Sequence, residues 1–259
     1  MQLPFYKYQG TGNDFILVDD RAGTFPVSTA VVARLCHRRF GIGADGLILL
    51  RNDPAADFRM VYFNADGNEG SMCGNGGRCV VRFAHDLGII DDSTRFVAVD
   101  GVHLASVCEE DIFLKMIDVA GIETQPDLDF LQTGSPHVIL YTRDLKDLDV
   151  PDIGRSIRYA DEWVARGGTN VNFVEVLDEA TLAVRTYERG VEDETYSCGT
   201  GVTAAALSAH VRHGLADPIE VRTLGGTLRV SFEPVADGGF TNIYLIGPAR
   251  RVFEGTVAL

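Results

Sequence analysis

The chain has 259 residues, enough for one large domain or two of medium size, and 46% hydrophobic residues supply apolar material for packed cores. A formal net charge of −14 argues against nucleic acid and anionic membrane surfaces as partners. No apolar run approaches the roughly 20 residues of a membrane span, and no leader pattern opens the chain, so we expect a cytoplasmic protein.

The predicted elements are mostly short strands. Alternating or β-branched runs predict strands at 4–8, 15–19, 47–51, 59–63, 95–99, 102–107 and 112–117 in the first half. In the second half they predict strands at 137–142, 171–176, 181–187, 219–223, 227–232, 241–246 and 251–253. Short connections rich in Gly, Asp or Asn favour largely antiparallel pairing.

Three helices and a weaker fourth are expected among these strands. They are a helix from a Ser28/Thr29 cap, one that follows Cys73 and stops near Gly88, one from Cys198 to Gly214, and the weaker candidate near 152–165.

Similar features recur in the same order in both halves. The segment 12–17 resembles 134–139, Asp45 precedes Cys73 by 28 residues, and Asn170 precedes Cys198 by 28 residues. Each cysteine is followed by Gly-x-Gly and a helix. Identity is low and each match alone fits chance, but the shared order favours duplication. We therefore predict an α+β protein of two pseudo-symmetric domains, each a curved, mostly antiparallel, barrel-like sheet around a central helix, with the boundary near 118.

The five cysteines are odd in number and widely spaced, which favours reduced thiols over a disulfide framework. No Cys-x-x-Cys pair is present and the six histidines are scattered, so no metal site is expected. Cys36, Cys79 and Cys108 are interpreted as small core residues.

Cys73 and Cys198 differ from the other cysteines because each stands directly before a helix, beside glycines that allow a ligand close to the backbone. A helix N-terminus lowers a thiol pKa and binds carboxylates. Two such thiols suggest an acid–base pair that inverts a stereocentre, one taking an α-proton and the other delivering one. The alternatives are core cysteines, a thiol hydrolase or transferase with a histidine base, or a non-catalytic amino-acid-binding protein.

Two glycine-rich segments resemble the dinucleotide-binding fingerprint. Residues 41–46 follow a predicted helix and precede a strand, the reverse of the required order. Residues 199–204 do open a helix, but the preceding stretch 192–195 is acidic and turn-like. Neither segment predicts a nucleotide cofactor.

With these motifs, the chain resembles the diaminopimelate epimerase family over essentially its whole length. The matching motifs are Gly12-Asn13-Asp14-Phe15, residues 41–45, residues 63–67, Met72–Cys79, Gly134-Ser135-Pro136-His137, Thr169-Asn170-Val171, Tyr187-Glu188-Arg189-Gly190 and residues 197–201.

The resemblance implies conversion of L,L-diaminopimelate to the meso form, in lysine and cell-wall precursor synthesis, without pyridoxal phosphate or metal. It implies that Cys73 and Cys198 are the acid–base pair. It assigns the reacting carboxylate to the backbone of Gly74, Asn75, Gly199 and Thr200, and the far end of this diamino-dicarboxylate to Asn13, Asn64, Asn170 and Arg189, with Glu188 near its ammonium. His137 and Glu188 are candidates for tuning the thiol pKa values.

The chain departs from the family at Gly46 and Ser135, where the family often has Gln and Asn. Ser135 therefore stays a candidate substrate ligand, and racemisation of another amino acid, as in proline racemases, is the alternative activity. Those enzymes carry Cys-Gly-His-Gly where Asn75 stands here. The resemblance further implies a homodimer and a last strand that returns to the first domain, which gives domains of 1–118 plus 250–259 and of 119–249.

Overall fold

Short β-strands make up most of the structure, a computed structural model in which residues 2–259 are described. The strands and helices belong to two units. The first comprises the chain up to Leu114 together with Gly247–Leu259, and the second comprises Lys115–Ile246.

The first unit is one sheet in which each strand pairs with the next, in the order β17-β1-β2-β3-β4-β5-β6-β7. The pairs β2–β3 and β4–β5 are parallel and the others antiparallel. The strands are β1 Gln2–Gly10, β2 Asn13–Asp19, β3 Gly46–Asp53, β4 Ala56–Asn64, β5 Ser93–Ala98, β6 Gly101–Cys108, β7 Asp111–Lys115 and β17 Arg250–Ala258.

The second unit follows the order β8-β9-β10-β11-β12-β14-β15-β16, with β13 on β12. Here β10–β11 and β12–β14 are the parallel pairs. The strands are β8 Glu123–Thr124, β9 Asp129–Gln132, β10 Pro136–Tyr141, β11 Asn170–Val176, β12 Thr181–Glu188, β13 Asp193–Thr195, β14 Ile219–Thr223, β15 Gly226–Pro234 and β16 Phe240–Pro248.

The two units share one strand topology. Strands β1 to β7 pair in the same order and the same orientations as β9, β10, β11, β12, β14, β15 and β16. This correspondence confirms the predicted pseudo-symmetry and the largely antiparallel α+β character. Closure of each sheet into a barrel stays a prediction.

Five α-helices accompany the strands of residues 2–259: α1 Thr29–Cys36, α2 Gly74–Asp86, α3 Val150–Arg158, α4 Asp161–Ala165 and α5 Gly199–His213. The Ser28 hydroxyl caps α1 by accepting the Val31 N–H at 3.2 Å, and Gly214 ends α5 with φ +72°. The three main helix predictions are confirmed. The weaker candidate near 152–165 corresponds to two helices, α3 and α4, because the backbone adopts an extended conformation at Ala160 between them.

Helices α2 and α5 are the centres of their units. α2 contacts β1, β2, β3, β4, β6 and β17, and α5 contacts β9, β10, β11, β12, β14 and β15. Both helices are buried on most sides, α2 with Gly76 and Gly77 and α5 with Ala204–Ala206, because small side chains let the sheets approach closely. The predicted fold class is thus confirmed in one feature, the central helix that the sheet of each unit contacts.

Sequence reasoning is incomplete at 192–195 and wrong at Cys108. The chain turns at Glu192 (φ +59°) as expected, but Asp193–Thr195 then forms a short strand on β12, none of it buried, in which Glu194 pairs with Arg185. Cys108 is exposed, because it ends β6 beside the hairpin turn at Glu109. Cys36 and Cys79 are buried as expected. Within residues 2–259, no helix is long and apolar enough to cross a membrane.

Candidate active site

Cys73 stands directly before α2, half-buried, in an extended conformation (φ −108°, ψ 121°). Its carbonyl accepts the first helical hydrogen bond, from the Gly77 N–H at 2.7 Å. The N–H groups of Gly74, Asn75 and Gly76 therefore precede the first hydrogen bond of the helix. Together with the positive end of the helix dipole, they can bind an anion beside the thiol.

Asn13 lies beside this thiol. Its Oδ1 is 3.6 Å from Cys73 Sγ and accepts a hydrogen bond from Asn75 Nδ2 at 3.4 Å. Its Nδ2 donates to Asp45 Oδ2 at 2.6 Å, which fixes the amide orientation because a carboxylate only accepts. The structure thus brings Asn13, Asn75 and Cys73 together in the first unit, with Asp45 as a support that sequence reasoning did not assign a role.

Arg78 is fully buried in α2, one turn beyond Asn75. Its Nη2 donates to Asn75 Oδ1 at 3.0 Å and to Thr11 Oγ1 at 3.1 Å. Among residues 2–259, Nε and Nη1 have no hydrogen-bond partner and no carboxylate forms an ion pair with Arg78. Burial lowers the pKa of Arg78, and the charges of Cys79 and Cys73 oppose that fall. Sequence reasoning missed this residue, because its burial depends on how the sheet packs around α2, which the local sequence does not show.

Cys198 repeats the arrangement of Cys73 in the second unit. It precedes α5 with φ −115° and ψ 111°, and its carbonyl accepts the Val202 N–H at 2.8 Å. Its thiol is buried, and Sγ lies 3.5 Å from Thr200 Oγ1. The N–H groups of Gly199 and Thr200 occupy the same positions as those of Gly74 and Asn75.

His137 is linked to the second thiol through Thr200. Its Nε2 lies 2.9 Å from Thr200 Oγ1, and its Nδ1 lies 3.1 Å from Asn172 Nδ2. The pKa of His137 is lowered to about 3, mainly because the ring is buried and also because of the positive charge of Arg189. His137 is therefore a neutral side chain, and sequence reasoning did not find its partner Asn172.

Asn170, Glu188 and Arg189 lie near one another at the ends of β11 and β12. Asn170 is buried, donates from Nδ2 to the Pro136 carbonyl at 2.9 Å, and accepts the Arg189 N–H at 2.9 Å. The exposed Arg189 side chain donates to the Gly167 carbonyl at 2.9 Å. Glu188 Oε2 accepts from Thr195 Oγ1 at 2.9 Å.

Asn64 and Gly46 lie opposite each other at one end of the first sheet. Asn64 is exposed. A Cβ built on Gly46 would lie 2.5 Å from Tyr62 Cε2 and 3.0 Å from its Oη, so the Tyr62 ring occupies the space that a longer side chain would need. Tyr62 was not recognised from the sequence, since its place beside Gly46 depends on the β3–β4 register.

Ser135 is half-buried in the turn before β10, where its carbonyl accepts the Thr133 N–H at 3.2 Å. Within the described part of the chain, the side chains of Ser135 and Asn64 make no hydrogen bond, so the structure does not join them to the thiol clusters.

One glycine in each helix shows which side chains are equivalent in the two units. A Cβ on Gly76 would meet Ile48 Cδ1 at 3.2 Å and Phe15 Cζ at 3.5 Å, whereas a Cβ on Gly201 would collide with Asn172 Oδ1 and lie 3.3 Å from His137 Cε1. Phe15 and Ile48 therefore correspond to His137 and Asn172, as the β2–β3 and β10–β11 registers confirm. The repeat predicted from the sequence aligns Asp45 with Asn170, but this alignment is shifted by one residue. In the structure Asn170 corresponds to Gly46.

The glycine-rich segment 41–46 runs through turns after α1 and leads into β3, as expected. Across residues 2–259, no group of three or more His, Cys, Asp or Glu side chains is arranged to hold a metal ion.

Comparison with known proteins finds relatives that match nearly the whole chain. A family model described as diaminopimelate epimerase matches residues 5–127 and 130–252. A diaminopimelate epimerase of Flavobacterium psychrophilum is 50% identical over 258 residues, covering 98% of this chain and 100% of the relative. A diaminopimelate epimerase of Chlorobaculum tepidum is 46% identical over 260 residues, covering 96% of this chain and 99% of the relative.

Solved structures with the same fold are more distant in sequence. A Bacillus anthracis phenazine biosynthesis protein of the PhzF family has a TM-score of 0.79 at 15% identity, with 100% of both chains covered. A hydroxyproline epimerase from Agrobacterium vitis has a TM-score of 0.69 at 16% identity, covering 100% of this chain and 93% of that one. These likenesses show the shared two-domain fold.

Proposed function

The chain belongs to the diaminopimelate epimerase family, and from that premise we propose that it converts L,L-diaminopimelate to meso-diaminopimelate. The observation that carries the proposal is the equivalent placement of Cys73 and Cys198. Each ends an extended segment, opens the central helix of its unit and accepts the first helical hydrogen bond through its carbonyl.

The two thiols exchange one proton with the substrate. The thiolate of one cysteine takes the α-proton from one face of the carbon, and the thiol of the other delivers a proton to the opposite face. The two cysteines then hold the reverse protonation states, so the reaction can run in either direction with the roles exchanged. The net result is inversion of one stereocentre without gain or loss of charge.

The helix N-termini stabilise the intermediate. As the α-proton leaves, negative charge develops on the substrate carboxylate. Backbone N–H groups of Gly74, Asn75, Gly199 and Thr200 lie in the first turns of their helices, where they can donate hydrogen bonds to the carboxylate and stabilise this charge. Because these donors are part of rigid helix starts, they need little reorganisation during proton transfer.

The far end of the substrate is bound by the polar residues that lie away from the thiols. Arg189 offers a fork for a carboxylate, Asn64 and Asn170 offer amides, and Glu188 offers a carboxylate for the distal ammonium. Asn13 lies close enough to Cys73 to bind the reacting end as well. Ser135 stays a candidate ligand, and the hydroxyl of Tyr62 supplies a polar group beside Gly46.

The proposed setting follows from the substrate. Because the proposed substrate is a diamino-dicarboxylate of lysine and cell-wall precursor synthesis, we propose that the enzyme is cytoplasmic. We also propose that it forms a homodimer, as in the family. The two thiols supply both the base and the acid, so the proposed reaction needs neither pyridoxal phosphate nor metal. His137, which is neutral, and Glu188 influence the thiols rather than transfer the α-proton.

Turnover of three substrates tests the proposal. The purified chain, reduced and treated with a metal chelator, should epimerise L,L-diaminopimelate and leave L-proline and L-glutamate unchanged. Faster turnover of proline or glutamate would favour another racemase of the same fold, the reading to which Gly46 and Ser135 point. A covalent acyl intermediate on one cysteine would instead indicate a thiol hydrolase.

A further inference from the structure

A buried polar pair stands behind Cys198 where the first unit has an apolar pair. His137 and Asn172 are each 0% exposed, as are their counterparts Phe15 and Ile48. The same strand topology therefore packs well with hydrocarbon at these positions. Burying polar groups is unfavourable unless every group is hydrogen-bonded. The fold itself does not require the polar pair, which points to a role in the chemistry of the second thiol.

The hydrogen bonds of Asn172 fix its amide orientation. Nδ2 donates to the Val138 carbonyl at 3.0 Å, and Oδ1 accepts from Thr186 Oγ1 at 3.0 Å. A carbonyl oxygen only accepts, so the amide nitrogen must face Val138 and, with it, His137 Nδ1.

This orientation fixes the proton on the imidazole. Because Asn172 Nδ2 donates to Nδ1, Nδ1 must be the unprotonated nitrogen of a neutral ring. The ring proton is then on Nε2, which donates to Thr200 Oγ1 at 2.9 Å. Arg189 is the charged group that acts on His137, and its positive charge adds to burial in keeping the ring neutral.

The Thr200 hydroxyl accepts from His137, so its own hydrogen is free to point elsewhere. Cys198 Sγ lies 3.5 Å from this oxygen, within hydrogen-bond distance for sulfur. Gly201 leaves room for Asn172 and His137 beside the helix, because a side chain at 201 would collide with Asn172 Oδ1.

We propose that Asn172 and His137 are positioning residues that direct the Thr200 hydroxyl hydrogen at Cys198 Sγ, where it stabilises the thiolate of this cysteine. This inference deepens the proposed function and rests on it for its catalytic meaning. The network carries no net charge and moves no proton, since a neutral Nε2–H tautomer is kept throughout. The first unit has no equivalent, because Phe15 and Ile48 offer neither donor nor acceptor.

The tautomer can be measured directly in the unaltered protein. With ¹⁵N-labelled histidine, NMR should show His137 protonated at Nε2 and unprotonated at Nδ1 near neutral pH, the signals being assigned by their loss in His137→Phe. In Asn172→Asp the new carboxylate can only accept, so Nδ1 should gain a proton. A proton on Nδ1 in the unaltered protein, or a bare Nδ1 in Asn172→Asp, would overturn the proposal.

Thiol reactivity tests the last step of the network. In a Cys73→Ala background, peptide mass spectrometry can follow iodoacetamide alkylation of Cys198 at pH 7, with the exposed Cys108 as internal reference. Thr200→Val removes the hydroxyl and should slow alkylation of Cys198 about tenfold, the effect of losing one hydrogen bond to a charged group. Thr200→Ser keeps the hydroxyl and should react at the original rate.

The pair of variants separates chemistry from folding. A merely structural role for Thr200 would give equal rates in the Val and Ser variants, and that outcome would overturn the proposal. The double variant His137→Phe with Asn172→Ile copies the apolar pair of the first unit. It should stay folded and, like Thr200→Val, should slow alkylation of Cys198. Neither measurement needs turnover, so a failed epimerisation assay would leave both results interpretable.

Discussion

Around Gly76 in the first unit, Phe15 and Ile48 pack against α2 with hydrocarbon, whereas around Gly201 in the second unit, His137 and Asn172 form hydrogen bonds. The backbone at the two cysteines is nearly the same, with φ and ψ differing by about ten degrees or less. The units thus share the thiol and the helix N–H groups but differ in the side chains that support them.

The difference extends to charge. The first thiol has the buried guanidinium of Arg78 in its helix, and the corresponding position of α5 is Thr203, whose hydroxyl bonds the Gly199 carbonyl at 3.0 Å. The helix of the first thiol therefore carries a buried cation, whereas the support that we propose for the second thiol is a neutral chain of hydrogen bonds.

The largest expected effect is loss of either thiol. Cys73→Ala and Cys198→Ala should each lower kcat for epimerisation by about 10²–10⁴-fold, the usual contribution of a general acid or base. Cys108→Ser, at an exposed strand end, serves as the control and should keep its activity. Full activity in either alanine variant would show that the replaced cysteine takes no part in proton transfer. The two units would then differ in their catalytic role and not only in the side chains around the thiol.

Gly201→Ala should destabilise the protein more than Gly76→Ala. The new methyl group at 201 collides with an Asn172 amide held by hydrogen bonds, and overpacking of this kind costs about 1–3 kcal/mol. At 76 the nearest atoms are the movable ends of Ile48 and Met60, and the helix propensity of Ala offsets the strain. Chemical denaturation measures both free energies of unfolding, and equal values would contradict the described difference in packing.

Removal of the buried cation should affect only the first thiol. Arg78→Met should slow iodoacetamide alkylation of Cys73 about tenfold at pH 7, because a nearby positive charge favours the reactive thiolate. Arg78→Lys keeps a cation and should recover part of the rate. Cys198 in the same chain is the reference, and an equal fall at both cysteines would contradict a local effect of the buried cation.

The neutral histidine predicts a specific pH dependence of stability. The pKa of His137 is about 3 when folded and about 6.5 when unfolded. Between these values the unfolded chain binds one more proton, so the free energy of unfolding falls by about 1.4 kcal/mol per pH unit as the pH decreases. Above about pH 6.5 this group has no effect. His137→Phe should remove this part of the slope between pH 6 and 4, and identical slopes would mean that His137 is not buried as a neutral ring.

Much of this arrangement was predictable from sequence. Glycines after Cys73 and Cys198, followed by helical apolar spacing, located both helix starts, and the repeated spacing predicted the two related units. The short strands β8, β9 and β13 were missed, because two to four residues carry too little alternation to be recognised. Strand β17 is longer than the predicted 251–253, since its stability comes from pairing with β1 along its length and not from its own pattern.

The supporting side chains were the least predictable part. Arg78 and Asn172 are polar residues in buried elements, and nothing in the local sequence distinguishes them from polar residues that face solvent. Tyr62 covers Gly46 only because the two strands adopt a particular register. Such roles depend on contacts between residues far apart in the chain.

Isotope incorporation during the first turnovers tests most directly whether one thiol removes the α-proton and the other delivers its replacement. The enzyme should be given L,L-diaminopimelate in deuterated water and the reaction stopped at low conversion. The account predicts that the meso product carries deuterium at the inverted carbon while the recovered substrate does not, because one thiol keeps the substrate proton and the other delivers solvent deuterium. Product that retains its original hydrogen would show that a single base serves both faces and would contradict the account.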